Sequence, residues 1–271
     1  MDKENAVISN FANKFIGDDG AIADDFIYSK DLFCEDTHFK RSWLNLTQIG
    51  QKAVLVNISD AIAMNAKPKF ALLGLGIPKN LSNNEINELC DSIKQTLNKF
   101  DCEIIGGDTI KSDKIFISLT IISKPNGKIL SRNGAKLGDL VCFTGVLGQS
   151  LKNLKTLQNG GKISSNSRFS KPQIRSNFIK NAAKFIRSAM DISDGLASDL
   201  PKICGKFGIK FSQKLSKFEL ISGEEYEMLF TLPPKNLPKI QNIAQKHRLK
   251  LNILGKITKG KYKFHGKFTH F

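Results

Sequence analysis

Two segments far apart in the chain, Ile-Gly-Asp-Asp-Gly-Ala at 16–21 and Met-Asp-Ile-Ser-Asp-Gly-Leu at 190–196, set carboxylates against glycine and small side chains. Glycine lets the backbone bend tightly and come close to a ligand. Hard cations take oxygen ligands, and Mg2+ held by carboxylates commonly brings phosphates with it. Asp31, Asp60 and Asp108 lie between the two segments in similar surroundings. The chemistry this pattern points to is metal-assisted handling of phosphates. Singly, the residues are ordinary: 18–21 has the composition of a polar turn with a helix cap, and Asp31 that of a turn residue. Asp60 is less so, because an Asp in an apolar helical stretch must be paired, hydrated or metal-bound if buried. Side chains of the adjacent pair Asp18-Asp19 point apart in extended backbone, so one of the two is expected to enter a site. Gly106-Gly107-Asp108 follows an expected strand, where amides can face a phosphate and the carboxylate a cation. Asp191 to Gly195 opens an expected helix, whose free amides and dipole favour an anion.

Other chemistries find little support. There is no G-x-x-x-x-G-K-[ST] loop and no protein-kinase glycine loop. No G-x-S-x-G elbow exists for a serine hydrolase. Of the four histidines, 247 lies in a polar helix and 265 and 270 near the carboxyl end, leaving His38 as the one close to a candidate residue.

The elements that must position these groups follow from periodicity and punctuation. A helix is expected over 5–15, a strand over 25–29 leading to Asp31, and a buried helix over 48–65 with Ser59-Asp60 inside it. A buried strand over 70–77 stops at Pro78. Ser82-x-x-Glu85 is a capping box, opening a helix with an apolar stripe of Ile86, Leu89, Cys90, Ile93, Leu97 and Phe100. A strand over 103–105 runs into the Gly-Gly-Asp segment, and 115–122 is β-branched and strand-like. After turn chemistry at 124–127, strands are expected over 140–144, 208–212 and 250–257, and helices over 147–158, 177–189, 195–207 and 238–247. The stretch 159–172 is a polar loop. The expected fold class is α/β (α+β), with two domains, 1–130 and 131–271, each a sheet backed by helices.

Composition narrows the setting. The 271 residues are 41% hydrophobic and 24% charged, as in a folded globular protein. No apolar run reaches the length of a membrane span, and the amino terminus lacks the apolar core of a signal peptide. The five cysteines are widely spaced with no C-x-x-C pair, as expected for reduced thiols in a cytoplasmic protein. The net charge of +16 invites a nucleic-acid partner. However, only six of the 41 basic residues are Arg, and the lysines are scattered without a run of five. A solvated lysine surface that attracts anionic substrates is preferred, with no nucleic acid and no membrane among the expected partners.

Taken in order, the motifs resemble the thiamine-monophosphate kinases, relatives of aminoimidazole-ribonucleotide synthetase and selenophosphate synthetase. They are Ile16-Gly-Asp-Asp-Gly-Ala, Asp31 followed by His38-Phe39, Val56-Asn-Ile-Ser-Asp-Ala-Ile-Ala63, Gly106-Gly-Asp108, Arg132-Asn-Gly-Ala-Lys-Leu-Gly-Asp139, Met190-Asp-Ile-Ser-Asp-Gly-Leu196, Gly223-Glu-Glu-Tyr226 and a terminal His-Phe. The resemblance implies a two-domain architecture like that of aminoimidazole-ribonucleotide synthetase, a homodimer, ATP as co-substrate and several Mg2+ ions. It implies in-line phosphorylation of thiamine monophosphate to thiamine diphosphate, with no covalent nucleophile. By the same resemblance Asp19, Asp31, Asp60, Asp108, Asp191 and Asp194 are Mg2+ ligands. Ser29 and Lys30 stand at further cation positions, Lys30 able to use only its carbonyl. Gly107, Asp108, Arg132 and Ser193 would contact ATP, while His38, Glu224 and Phe268 would line the thiamine phosphate pocket. Phe268 stands for an expected Trp, Glu225 for an Asp, and Cys90 for an aromatic near the adenine. The alternatives are another acceptor within the superfamily, as in the two synthetases, or a non-enzymatic nucleotide- or nucleic-acid-binding module.

Overall fold

The computed structural model describes residues 3–262, so Phe268, His265 and His270 lie outside the described residues. Helix α1 (Lys3–Asn10) precedes β1 (Ala21–Ala23), β2 (Phe26–Cys34), α2 (Leu46–Ala63), β3 (Ala66–Pro78), α3 (Asn83–Asn98), β4 (Glu103–Ser112) and β5 (Phe116–Pro125). These strands form one sheet in the order β1-β2-β5-β3-β4, with only β3 and β4 parallel. That pair is joined across α3, as a parallel crossover requires. Capping boxes at Asn45/Gln48 and Ser82/Glu85 start α2 and α3. In β5 every second residue is buried, Ile117, Leu119 and Ile121 facing the helices.

The second half is built from β6 (Leu140–Thr144), α4 (Gln149–Gln158), α5 (Ser176–Ala182), β7 (Ser188–Asp191), α6 (Leu196–Cys204), β8 (Gly208–Phe211), α7 (Lys217–Ile221), β9 (Met228–Leu232), α8 (Leu237–Lys246) and β10 (Leu251–Thr258). Its sheet runs β7-β9-β6-β10-β8, antiparallel throughout. The two sheets thus divide between Pro125 and Leu140. Helix α2, almost wholly buried, packs on β2, β3 and β5 and also meets β7 and α5 of the other half. No helix among the described residues is long and apolar enough to cross a membrane.

Several expectations shift. The first helix stops at Asn10, short of 15. Strand β2 continues to Cys34, so Asp31 lies within a strand. Gly106-Gly107-Asp108 is interior to β4 and does not form a turn after it. Gly107 is there for steric reasons: a Cβ would stand 1.8 Å from the Leu73 carbonyl oxygen of the neighbouring strand. The helix expected over 177–189 ends at Ala182, and Ser188–Asp191 is a strand buried on both faces, whose sequence carries no alternation. The region 217–232, without an expectation, supplies α7 and β9.

Candidate active site

One group of polar contacts between the halves gathers three carboxylates. Asp19, in the loop before β1, Asp60, in the last turn of α2, and Asp191, at the end of β7, each offer a carboxylate oxygen within 4.8 Å of the others. Ser59 Oγ donates to Asp191 Oδ2 at 2.5 Å. Arg132, in the connection between the sheets, donates through Nε to Asp19 Oδ1 at 2.7 Å, and its Nη2 lies 2.5 Å from the same atom. Asp18 does not enter the cluster; its carboxylate accepts the Arg132 backbone amide. One of the adjacent pair enters, as the sequence led one to expect.

Burial pushes the carboxyls of Asp19, Asp60 and Asp191 above the usual range, and their mutual charge adds to this for Asp19 and Asp60. Asp31, pointing from β2 to the same side, is raised to about 6 by burial and by the charges of Asp191 and Asp194. Its backbone amide donates to Asn57 Oδ1 of α2 at 2.9 Å. Asp19 Oδ2 and Asp191 Oδ1 are buried without a hydrogen-bond partner. Two orphaned, buried carboxylate oxygens in a repelling cluster fit a bound cation. Asp194 stands at the rim, in an ion pair with Lys202, which also bonds Asp199 at 3.0 Å.

The remaining metal candidates divide by face. Ser29 is buried beside α2, its hydroxyl 3.5 Å from the Asn57 carbonyl oxygen. The Lys30 side chain, for which only a carbonyl contact was expected, points away: its Nζ donates to Ser118 Oγ at 2.6 Å on the outward face of the sheet. Asp108 shares that outward face. It stands opposite Gly74, which stands opposite Ser118, whereas Asp31 stands opposite the inward Leu119. Gly107 and Asp108 are therefore not brought to the Asp19–Asp60–Asp191 cluster of their own chain; both are exposed.

The substrate candidates His38 and Glu224 lie near enough for the Glu224 charge to act on the imidazole. His38 stacks on Phe33 with centroids 5.3 Å apart, and its Nδ1 accepts the Cys34 amide at 3.0 Å. Burial holds its pKa below the usual value, with Glu224 opposing and Lys52 adding to the effect. Glu224 belongs to a segment pinned on the Asp191-Ile-Ser-Asp turn: its amide donates to the Ser193 carbonyl at 2.7 Å, and that of Tyr226 to Ile192 at 2.9 Å. Ser193 is thus occupied at its carbonyl, with its hydroxyl left for other contacts. Glu225 is buried and caps α4 through Gly148 and Ser150 amides, a structural task. Cys90 is half-buried on α3.

Sequence reasoning missed Lys52, Phe169 and Glu227, and quoted Tyr226 in a motif without giving it a role. Lys52 carries the same signal that marked Asp60, a charge inside an apolar helix. Glu227 has no local signal; it binds Arg168 from the polar loop, Arg175 at the start of α5 and Thr144 from β6.

Known proteins match across this architecture. Residues 17–124 fit the model for the AIR synthase related protein N-terminal domain, and residues 144–267 that for the C-terminal domain. The thiamine-monophosphate kinase of Aquifex aeolicus is 31% identical over 251 residues, covering 82% of this chain and 81% of its own. That of Leptospira interrogans is 34% identical over 236 residues, covering 79% and 76%. A solved structure of AaThiL complexed with AMPPCP and TMP superposes with a TM-score of 0.83 at 27% identity, covering 98% of this chain and 93% of that one. The match to a HypE–HypF complex, at 21% identity and a TM-score of 0.81, reflects the fold alone. With both domain models matched in order and members of one enzyme family aligned over most of its length, the chain belongs to the thiamine-monophosphate kinase family of AIR synthase related proteins.

Proposed function

We propose that the protein transfers the γ-phosphoryl group of ATP to thiamine monophosphate, giving ADP and thiamine diphosphate, by direct in-line displacement. The observation that carries this reading is the convergence of Asp19, Asp60 and Asp191 from both halves. Mg2+ held by these carboxylates, with Asp31 and Asp194 adjoining, would neutralise the phosphates. Both reactants are anions, and two unit charges 4 Å apart repel by about 4 kcal/mol at an effective dielectric of 20. Neutralisation and alignment are therefore the main work of the site.

The side chains divide that work. Arg132 stabilises Asp19 and brings a fixed positive charge to the cluster. His38, held neutral by burial and bonded at Nδ1, keeps its ring proton on Nε2. It serves to orient the acceptor. Tyr226, its phenol pushed up by burial and by four neighbouring carboxylates, stays protonated and shields the cluster from water. No general base is needed, since a phosphate monoester with a second pKa near 6 is already mostly ionised at neutral pH.

The same reading makes the protein a homodimer. Tyr28, Leu32, Phe70, Leu72 and Ile110 stand exposed on the first sheet, an apolar surface suited to a second copy of that sheet. All five cysteines are free thiols, in keeping with a cytoplasmic setting.

A coupled assay of ADP release tests the function. Release should require both Mg2+ and thiamine monophosphate. Equal release with thiamine, or with no acceptor, would sink the assignment and favour another acceptor or a binding module.

A further inference from the structure

Lys52 is fully buried in the middle of α2. Its Nζ lies 3.0 Å from Glu224 Oε2, 3.8 Å from the centroid of the Phe169 ring and 5.6 Å from that of Phe33. A buried ammonium persists only where partners offset its lost hydration, and two rings with one carboxylate are such partners. Glu224 is fixed as firmly from the other side. It sits at φ 54° and Tyr226 at φ 51°, a conformation that side chains adopt only where surroundings over-determine it. The backbone bonds to Ser193 and Ile192 supply that restraint.

Only one carboxylate oxygen is used. Glu224 Oε1 is buried without a partner, although the side chain as a whole is 26% exposed. The side chain therefore reaches solvent in part, while Oε2 is tied to Lys52 and Oε1 is enclosed and left without a bond of its own. We propose that Lys52 is the positioning residue of the acceptor site: with its ammonium over the Phe33 and Phe169 rings it anchors Glu224 Oε2, fixes the partly exposed carboxylate in place for the cationic ring of the acceptor, and so selects charged over neutral rings. This rests on the thiamine monophosphate reading above. Lys52 touches no reacting atom; it acts through Glu224 and belongs to binding, not to chemistry.

The test is calorimetric binding with steady-state kinetics, using thiamine monophosphate and its neutral thiophene analogue. The wild type should bind the cationic ligand at least about tenfold more tightly than the analogue. Lys52→Met should lose at least about 30-fold in affinity for thiamine monophosphate, the lower end of the range expected when one member of a buried charge pair is removed. KM should rise in step with kcat little changed, and discrimination against the analogue should collapse. Lys52→Arg, which keeps the charge, should recover part of the loss. Combined with Glu224→Gln, Lys52→Met should add little, because both act through one carboxylate. Additive losses, a fall in kcat at constant KM, or unchanged discrimination would overturn the inference while leaving the function intact. A wild type that binds neither ligand would overturn the function and the inference with it. Should Lys52→Met not fold, Lys52→Gln in the Glu224→Gln background leaves no charge unpaired. Affinity equal to Glu224→Gln alone then supports the inference, and a further loss refutes it.

Discussion

Asp60→Asn separates a functional carboxylate cluster from a structural one. The substitution keeps shape and removes one charge. Asp60 has Asp19 and Asp191 within 4.8 Å, oxygen to oxygen. Each such pair costs about 3.5 kcal/mol or more at an effective dielectric of 20. Arg132 offsets part of the charge on Asp19, and the partial exposure of Asp60 screens more. A net gain of about 1–3 kcal/mol for the metal-free protein remains, worth roughly 2–8 °C in Tm for a chain of this size. The assay is a thermal melt in EDTA and in Mg2+, paired with ADP release. Asp60→Asn should melt higher than the wild type in EDTA, lose most of the rise in Tm that Mg2+ gives, and show no Mg2+-dependent turnover. A variant that melts lower in EDTA, or turns over normally, refutes the reasoning: the cluster would then be serving the fold.

The raised carboxyls predict a pH dependence with a definite sign. A carboxyl whose folded pKa exceeds its unfolded value favours the folded state at low pH, and that contribution is lost as pH rises through the folded value. For Asp31 the window runs from the ordinary 3.8 to about 6. Metal-free protein should therefore lose stability over this range, and the Tm gain from Mg2+ should grow as pH rises from about 5 to about 7.5, because the cation competes with protons. Equal Mg2+ gains at both ends would contradict it. Glu227→Gln should cost about 3–5 kcal/mol, since it leaves Arg168 and Arg175 without their buried counter-charge. Faster proteolysis within 159–175 together with a lower Tm would bear this out, and an unchanged melt would not.

Much of the site was legible because its chemistry needs local composition. Glycine beside carboxylate marked 16–21 and 190–196, and a charge in an apolar helix marked Asp60. Capping boxes fixed the start of α3 to the residue. What resisted reading depends on pairing across the chain. Ser188–Asp191 is buried on both faces, so it shows no period of two and merges with the preceding helix. Gly106-Gly107 has turn composition but answers to the approach of Leu73 from the next strand. Whether Asp31 and Asp108 share a face is a question of strand register, which local sequence does not encode. Lys52 was open to the logic applied to Asp60, but its partner Glu224 lies in the other half of the chain.

Helix α2 carries both ends of the proposed reaction. Lys52 and Asp60 are eight residues apart, about 12 Å along a helix axis, and two turns keep them on one side. On that reading the helix would work as a calliper, with one jaw at the cation-binding end of the acceptor and the other at the phosphate end. A short phosphate ester can fill the second jaw and bare thiamine the first, but only a molecule of the right length closes on both. Acceptor choice would then be set by length as well as by charge, and by a part of the fold that cannot stretch.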